Sequence, residues 1–290
     1  MIDKLEMFMV LAREGHFGRA AAVYGVTQPT LSSAIRSLED SLGVQLVLRG
    51  ARFQGLTPEG QRVLDHARRI VGEARAMQDE MREARFGVAG HLRIGVIPTA
   101  LPRVARLTGP FLARNRAARV TLLSRSSAEI REGIAAQALD AGITYLEGAE
   151  PGRLDAVALW IERYRLVERG SETGALRWAE AATRPLCLLT PDMQNRRLID
   201  AHLAAAGVEV APRVESNSTL ALLSHVATGS WAAILAEALS EGSALPAGCV
   251  ARPLTAPEAG HAVGLVVGHR AIRTPSLRAL LEEAERIAGQ

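Results

Sequence analysis

The sequence predicts an α/β protein whose N-terminal part is dominated by helices and whose larger C-terminal part forms two α/β lobes. Residues 17–57 have the pattern of short helices around a tight turn, followed by two short extended runs. Residues 58–86 carry apolar side chains at helical spacing. After residues 87–90, which we interpret as a hinge, apolar strands alternate with helices through residues 91–290, which indicates a mainly parallel sheet.

The stretch around residues 20–49 predicts a helix-turn-helix. Ala21 is small enough to let two helices approach, Gly25 permits a tight turn, and Leu31 fills the space where the helices cross. Thr27 is a predicted N-cap, and Pro29 stands in the first turn, where its missing N–H costs nothing. The second helix therefore begins next to Thr27.

This second helix has one apolar and one polar face. Leu31, Ile35, Leu38 and Leu42 recur at helical spacing and are predicted to pack inward. Short polar groups and one arginine suit the major groove of DNA, where they can bond base edges and phosphates. The predicted DNA-binding residues of the helix are Gln28, Pro29, Thr30, Ser32, Ser33 and Arg36. By spacing alone, a small amphipathic helix with a solvated polar face fits equally well.

The residues after this helix favour DNA binding. Val44–Arg49 and Ala51–Leu56 form two short extended runs that carry Arg49 and Arg52, as expected of a wing that reaches the DNA backbone or minor groove. The segment 1–57 thus reads as a winged helix-turn-helix. The net charge of the whole chain is only +3, so attraction to DNA must come from where the charges lie.

Residues 58–86 are predicted to form one long helix that pairs with a second copy of the chain. Thr57, Pro58 and Glu59 are a cap, an N1 proline and an acidic first turn, which together start a helix. Apolar residues then alternate at spacings of four and three, which is typical of a seam between helices. The predicted dimer seam is Val63, Ala67, Ile70, Ala74, Met77, Met81 and Ala84. The alternative is that the stripe packs on its own domain.

The order of residues in the first 90 positions resembles the LysR family of bacterial transcriptional regulators. The resemblance is carried by Phe17 to Ala21, Gly25, Gln28 to Leu38, Glu39, Leu42, Gly43, Leu46, Arg49, Leu56, Thr57 and Gly60. It implies that Gln28, Pro29, Thr30, Ser32, Ser33, Arg49 and Arg52 contact double-stranded promoter DNA. It also implies self-association as a dimer or tetramer, a small-molecule effector and contact with RNA polymerase. Ser33 departs from the Arg or Gln of many members, and Val47 departs from a common Phe.

The C-terminal part resembles the effector-binding domain of that family, which is built like periplasmic substrate-binding proteins. We predict lobe I from residues 91–162 and 269–290, and lobe II from residues 163–268, with a cleft between them. Helix N-termini at such a cleft favour a small anion. The resemblance carries the effector contacts onto Thr99, Ser126, Thr144, Gln194, Asn195 and Ser216. Residues 186–197 also look like regulators found beside formate dehydrogenase genes.

Several of these effector residues have a purely structural alternative. Ser126 with Glu129 has the spacing of a capping box, and Thr99 can cap the next helix. Asn195, Arg196 and Arg197 fit a solvated helix face, although arginines near a helix start can also bind an anion.

Enzymes and exported solute-binding proteins are the two rival classes. His225, Asp192 and Asp200 lie near candidate loops but lack a recognised catalytic spacing, so we expect no catalytic residue. Cys187 and Cys249 are isolated, and no zinc spacing or phosphate loop is present, so we expect neither metal nor cofactor. Charged residues within the first eight positions argue against a signal peptide, no apolar run is long enough to cross a membrane, and we expect a cytoplasmic protein.

Overall fold

The computed structural model describes residues 1–49, 53–86, 88–148, 152–240, 245–256, 260–269 and 273–289. The chain divides into two compact units, residues 1–87 with 272–275, and residues 88–271 with 276–290. Within the described ranges, no helix is long and apolar enough to span a bilayer. Each unit is considered by itself below.

The first unit contains four helices and a two-stranded hairpin. The elements are α1 (Ile2–Glu14), α2 (Phe17–Tyr24), α3 (Gln28–Leu42), β1 (Val47–Arg49), β2 (Phe53–Leu56) and α4 (Pro58–Phe86). Gly25 ends α2 in the left-handed region at φ 81°, and Thr27 Oγ1 caps α3 by accepting from the N–H of Thr30 at 3.4 Å. Both features follow the sequence prediction, and together they set the turn between α2 and α3.

The first half of α4 packs inside the first unit rather than against a partner. Leu64, Ala67 and Val71 are buried with α1 and α3 in one apolar core, and Val63 packs against it. Ala67 is fully buried there, so it cannot belong to a seam with a second copy. The alternative of packing on the chain's own domain therefore holds for this half of the stripe.

Glu39 of α3 ties the recognition helix to the wing. Its buried carboxylate accepts hydrogen bonds from the backbone N–H groups of Leu46 at 2.9 Å and Val47 at 3.3 Å. These charge-assisted bonds hold the start of β1 against α3. The predicted wing residue Arg49 ends β1, whereas Arg52 lies outside the described residues.

The second unit is built on one continuous mixed sheet. Its elements are β3 (Ala89–Val96), α5 (Ala105–Arg114), β4 (Ala117–Ser124), α6 (Ser127–Ala135), β5 (Ala141–Tyr145), β6 (Leu154–Arg169), β7 (Leu176–Arg177), α7 (Trp178–Ala181), β8 (Leu186–Leu189), α8 (Gln194–Ala205), β9 (Val214–Ser216), α9 (Thr219–Ala227), β10 (Ala232–Ala236), β11 (Cys249–Thr255), β12 (Gly260–Gly268) and α10 (Pro275–Ala288). Two 3₁₀ turns, Pro98–Arg103 and Glu237–Ser240, complete them. The strand order is β4-β3-β5-β12-β6-β10-β8-β9, with β11 on β6 and β7.

The long strand β6 joins the two lobes. Its residues 154–163 pair antiparallel with β12, while residues 164–168 pair antiparallel with β10. Because β12 also pairs with β5, it belongs to lobe I, so the return crossing falls between Thr255 and Gly260. The predicted boundary at residue 268 is wrong, since it left β12 in lobe II. Antiparallel β12 and β6 also make the sheet less parallel than predicted.

Prolines account for two further differences between the predicted and observed elements. The sequence pattern predicts strands at Leu186–Leu189 and Val210–Glu215 and helices at Leu101–Asn115 and Pro275–Ala288. The second of these strands forms only at Val214–Ser216, because Pro212 has no N–H to donate to a ladder. The predicted helix Leu101–Asn115 is split, with a 3₁₀ turn over Pro98–Arg103 before α5. Buried β8 and amphipathic α10 have the predicted bounds.

Gly60 offers a test of how α4 meets the wing. A Cβ at this position would lie 2.0 Å from the backbone oxygen of Leu46, so Gly60→Ala forces the hairpin away from the helix. We expect a loss of about 1–3 kcal/mol in the free energy of unfolding, as for overpacked cores. Gly174→Ala is the matched control, because nothing lies within 4 Å of its Cβ. At this exposed position the change should alter the free energy of unfolding by no more than about 0.5 kcal/mol. Equal effects in urea denaturation would contradict this packing.

Candidate effector pocket and DNA-binding helix

A small pocket lies in the second unit where the carboxyl ends of β3, β5 and β8 meet the start of α8. Its free space is about 10 Å³, roughly that of one water molecule, and no charged side chain is among its lining residues. Six of those residues have a polar side chain, which is unusual in so small and buried a space. The lining residues are Ile97, Pro98, Thr99, Ser126, Ser127, Tyr145, Leu189, Met193, Gln194 and Asn195.

Two helix N-termini open into this pocket. At α6, Ser126 forms the predicted capping box: its Oγ accepts from the N–H of Glu129, and its own N–H donates to the Glu129 carboxylate at 2.7 Å. At α8, the cap residue Met193 gives no side-chain hydrogen bond, which leaves first-turn N–H groups for another acceptor. Both ends place partial positive charge at the pocket.

Several buried polar atoms beside the pocket have no partner within the described part of the chain. They include Ser127 Oγ, Gln194 Oε1 and Asn195 Oδ1, and Ser127 and Asn195 are almost completely buried. Burying a polar group without a hydrogen bond costs free energy, so such groups are rare away from functional sites. A bound molecule with polar atoms would satisfy them.

A chain of hydrogen bonds backs the pocket. Asn195 donates from Nδ2 to Tyr145 Oη at 3.1 Å, and Tyr145 in turn donates to the carboxylate of Glu162. All three residues are buried, and the second carboxylate oxygen, Glu162 Oε2, makes no hydrogen bond to a described residue. The chain therefore links α8 to β6 through β5.

Burial dominates the acid–base properties of this chain. Removal from water raises the pKa of Glu162 to about 7, against smaller lowering effects of Tyr145, Thr99, the Arg103 charge and Asn195. Burial likewise holds the pKa of Tyr145 well above its usual value. Glu162 is thus poised to change its charge near neutrality, while Tyr145 stays protonated.

A second polar chain adjoins the first. Glu147, which follows β5, accepts from His261 Nδ1 at 2.6 Å, and His261 Nε2 lies 2.9 Å from His202 Nε2 on α8. Gln194 also donates to the backbone oxygen of Glu147 at 3.1 Å. These contacts hold the start and middle of α8 against the end of β5.

The structure brings together four of the six predicted effector residues. Thr99, Ser126, Gln194 and Asn195 line the pocket, but Thr144 and Ser216 do not. Thr144 precedes Tyr145 on β5, and since side chains alternate along a strand it faces the other side of the sheet. Ser216 ends β9 and accepts from the N–H of Ser218 at 3.1 Å.

Arg196 and Arg197 are committed to partners in the protein. Arg196 is buried and forms ion pairs with Asp200 and Glu215, while Arg197 donates to the backbone oxygens of two preceding residues. Neither guanidinium lines the pocket. The predicted use of these arginines for an anion is therefore not favoured.

Sequence reasoning missed Tyr145, Ser127 and Glu162. The sequence could have indicated that Glu162 is buried. Trp160, Glu162, Tyr164 and Leu166 are every second residue of one strand, and such residues share one face of the sheet. Tyr164 and Leu166 are buried, and so is Glu162. An acidic residue in phase with apolar ones is a sign of an internal carboxylate.

The first unit presents a polar helix face. Gln28, Pro29, Thr30, Ser33 and Arg36 of α3 are exposed, and Ser32 is half-buried. The opposite face buries Leu31, Ile35 and Leu38, whereas Leu42, predicted to pack inward, is 42% exposed at the end of the helix. The exposed N-terminal part of α3 can therefore meet a groove without disturbing the core.

Two family models together match almost the whole chain. The model described as "Bacterial regulatory helix-turn-helix protein, lysR family" matches residues 2–61, and the LysR substrate binding domain matches residues 86–288. The chain belongs to the LysR family. Regulators of this family bind promoter DNA and small-molecule effectors and form oligomers. The predicted fold class and family are thus confirmed.

Relatives within the LysR family include proteins named for peroxide response. A probable hydrogen peroxide-inducible genes activator of Mycobacterium xenopi is 37% identical over 171 residues, covering 56% of this chain and 86% of that protein. The protein of the same name from Mycobacterium avium is 30% identical over 290 residues, covering 96% and 91%. Full-length OxyR from Pseudomonas aeruginosa with a cysteine-to-aspartate substitution aligns with a TM-score of 0.74 at 22% identity, covering 98% and 97%.

Glu162 makes stability depend on pH in a defined direction. Its pKa rises from 4.5 to about 7 on folding, so its favourable contribution is complete below pH 4.5 and is lost as the pH rises through about 7. The wild type should lose up to about 3 kcal/mol of unfolding free energy from this group. In Glu162→Gln, which keeps an acceptor for Tyr145, that loss should vanish.

Urea denaturation at pH 5.5 and 8.5 captures about 2 kcal/mol of this loss, because the part between pH 4.5 and 5.5 lies below that window. Glu237→Gln is the matched control, because it makes the same chemical change at an ion pair with Arg165 outside the pocket. The control should keep the wild-type pH trend. An identical trend in wild type and Glu162→Gln would show that Glu162 titrates normally.

Proposed function

We propose that this LysR-type regulator binds promoter DNA through α3 under the control of a small anion held in the pocket. The observation that carries the proposal is the buried, unpartnered Ser127 hydroxyl between two helix N-termini, while the unpartnered amide oxygens of Gln194 and Asn195 would accept from a donor group on the same effector. An effector at this place would contact both lobes at once. A regulator that acts on bacterial promoter DNA works in the cytoplasm.

The proposal that the effector is an anion rests mainly on backbone N–H groups. The first turns of α6 and α8 border the pocket, and the helix macrodipoles favour negative charge there. Ser126 adds a hydroxyl whose oxygen already accepts from Glu129, so its hydrogen is free to donate. The free space of about 10 Å³ holds no more than about one water molecule, so the lobes must part to admit an anion.

DNA recognition by α3 uses short polar side chains. Gln28 and Thr30 are exposed at its N-terminal end, where recognition helices meet base edges, and Arg36 is exposed two turns further. Ser33 places a small hydroxyl where an arginine would reach a guanine or phosphate. The preferred operator is therefore expected to differ from that of relatives with arginine at this position.

Dimerisation would use the second half of the predicted seam. Ile70, Met77 and Met81 are 46%, 59% and 62% exposed, and their spacing of seven and four keeps them on one face of α4. Ala74, half-buried, lies between them, while the side chain of Ala84 lies outside the described residues. Three large apolar side chains in water favour a partner helix.

Peroxide sensing through a thiol pair is a second candidate, favoured by the names of the relatives. Cys187 is fully buried, which raises its pKa to about 11, so it holds little of the reactive thiolate. Strand pairing places Cys187, Ala233, Val167 and Ala251 in one row across four strands.

The distance between the two cysteines also disfavours a disulfide. Three strand spacings separate Cys187 from β11, or about 14 Å. Cys249 stands two residues along β11 from the end of that row. Disulfides need Cα atoms within about 7 Å. We therefore propose an anion rather than a peroxide as the signal.

The regulated genes are predicted on narrower grounds. Residues 186–197, which span β8 and the start of α8, resemble regulators found beside formate dehydrogenase genes. The same residues form one wall of the pocket through Leu189, Met193 and Gln194. We propose a formate dehydrogenase operon as a target, and include formate among the test anions.

Two variants separate the proposed roles of the pocket and of α3. Ser127→Ala should weaken anion binding by about tenfold or more, because a buried hydrogen bond to a charge is lost, while DNA affinity stays unchanged. Arg36→Ala should do the reverse, with DNA affinity lower by about tenfold. Gel shifts and footprints with DNA upstream of the protein's own gene, with and without formate, acetate or nitrate, measure both properties.

Peroxide serves as the contrasting signal in the same assay. Hydrogen peroxide should leave the footprint unchanged. A footprint that responds to peroxide and not to any anion, and that loses the response in Cys187→Ser, would replace the anion proposal with thiol sensing.

The dimer proposal has its own test. The double change Met77→Lys and Met81→Lys should shift the protein towards monomer in sedimentation at micromolar concentration, because two charges would be buried in the seam. Gln78→Lys is the control, since Gln78 is exposed next to the seam. Unchanged sedimentation of the double variant would remove this face of α4 from the interface.

A further inference from the structure

We propose that Glu162 couples the binding of an anion in the pocket to the uptake of one proton, so that the effector is recognised together with that proton. The inference rests on the proposed function, because it needs an anion at this site. It assigns to Glu162 the role of a specificity-determining residue that lies behind the pocket wall rather than in it.

An anion in the pocket and the Glu162 carboxylate would lie on opposite sides of one layer of side chains. Tyr145 and Asn195 line the pocket, and Tyr145 donates directly to Glu162. Water is excluded from this layer, since all three residues are nearly or fully buried. Like charges so close in a poorly screened interior disfavour each other, and protonating the carboxylate relieves the repulsion.

Among the described residues, Tyr145 and Thr99 favour the charged form of Glu162, but they lower the pKa of the carboxyl less than burial raises it. One oxygen accepts from Tyr145, while Oε2 is buried without a described hydrogen-bond partner. A buried charge with an unsatisfied oxygen is costly, whereas a protonated carboxyl tolerates the same place. The pKa of about 7 in the empty pocket agrees with this balance.

Other charged and titratable groups lie around Glu162, and a test of the coupling must control for their protonation. Arg103 of the 3₁₀ turn lowers its pKa by charge, and Tyr164 lies two residues along β6. His261 is its cross-strand neighbour on β12 and leads to His202 on α8 and to Glu147 after β5. Burial lowers the pKa of His202, and the two histidines require their own variant.

The coupling predicts a direction and a size. Anion affinity should be highest where Glu162 is protonated and should fall as the pH rises through about 7, approaching tenfold per pH unit. Binding near pH 8 should take up close to one proton. Titration calorimetry of the full chain in buffers of different ionisation enthalpy measures both quantities.

Formate, acetate and nitrate are suitable probes because each stays singly charged between pH 6 and 9. Any dependence of their affinity on pH then belongs to the protein. Glu162→Gln should bind these anions with the same affinity at pH 6 and 8.5 and without proton uptake. Tyr145→Phe, which removes the hydrogen bond that lowers the pKa of Glu162, should keep the uptake and shift it to higher pH.

The controls distinguish Glu162 from its neighbours. Glu237→Gln, outside the pocket, should behave as the wild type. Should proton uptake persist in Glu162→Gln and disappear in His202→Gln, the histidine pair rather than Glu162 would be responsible. Equal wild-type affinity at pH 6 and 8.5 would also overturn the coupling. If no probe binds the wild type at pH 6, where Glu162 is neutral, the anionic effector itself is refuted and the coupling falls with it.

Discussion

The hydrogen-bond chain from Asn195 through Tyr145 to Glu162 is the constraint on which the effector pocket depends. Its members come from α8, β5 and β6, so it joins three elements that the sequence places far apart. A deprotonated Glu162 can only accept, which makes Tyr145 its donor and leaves Tyr145 Oη to accept from Asn195 Nδ2. The amide oxygen of Asn195 is then left without a protein partner. The hydrogen bonds that complete the pocket wall therefore leave this acceptor atom without a partner.

Burying a carboxylate costs desolvation free energy, so it is not an effective way to stabilise a fold. Well-packed apolar residues in place of buried charges are often neutral or more stable, so stability does not account for Glu162. Strongly perturbed groups beside clefts are enriched at functional sites. Glu162 lies where the strand β6 passes from one lobe to the other, and a change in its charge would be felt by both.

Local patterns predicted those parts of the fold that local physics determines. Thr27, Gly25 and Ser126 have side-chain or backbone requirements within four residues, and each cap or turn formed as expected. The predicted lobe boundary was misplaced because β12 pairs with β5 and β6, which are distant in sequence. Apolar runs reveal that a strand is buried but not which strand lies beside it.

The pocket was predictable in part for the same reason. Thr99, Ser126, Gln194 and Asn195 follow strand ends, where chain order alone brings polar groups to one edge. Tyr145 ends β5 and contacts Glu162 of β6 across β12, which no spacing in the sequence encodes. The alternation around Glu162 could have placed it inside the protein, but its partner could only come from the structure.

The two sites differ in how tightly the fold constrains them. Exposed positions on α3, such as Ser33 and Arg36, can change without touching the core formed by Leu31 and Ile35, so DNA preference is free to diverge. Ser126 has no such freedom, because it caps α6 and lines the pocket at once. A substitution there alters helix stability and effector contact together. Substitutions that change effector specificity are therefore expected at Ser127 and Gln194. Among the described residues, the Ser127 side chain has no hydrogen-bond partner and the Gln194 side chain has one.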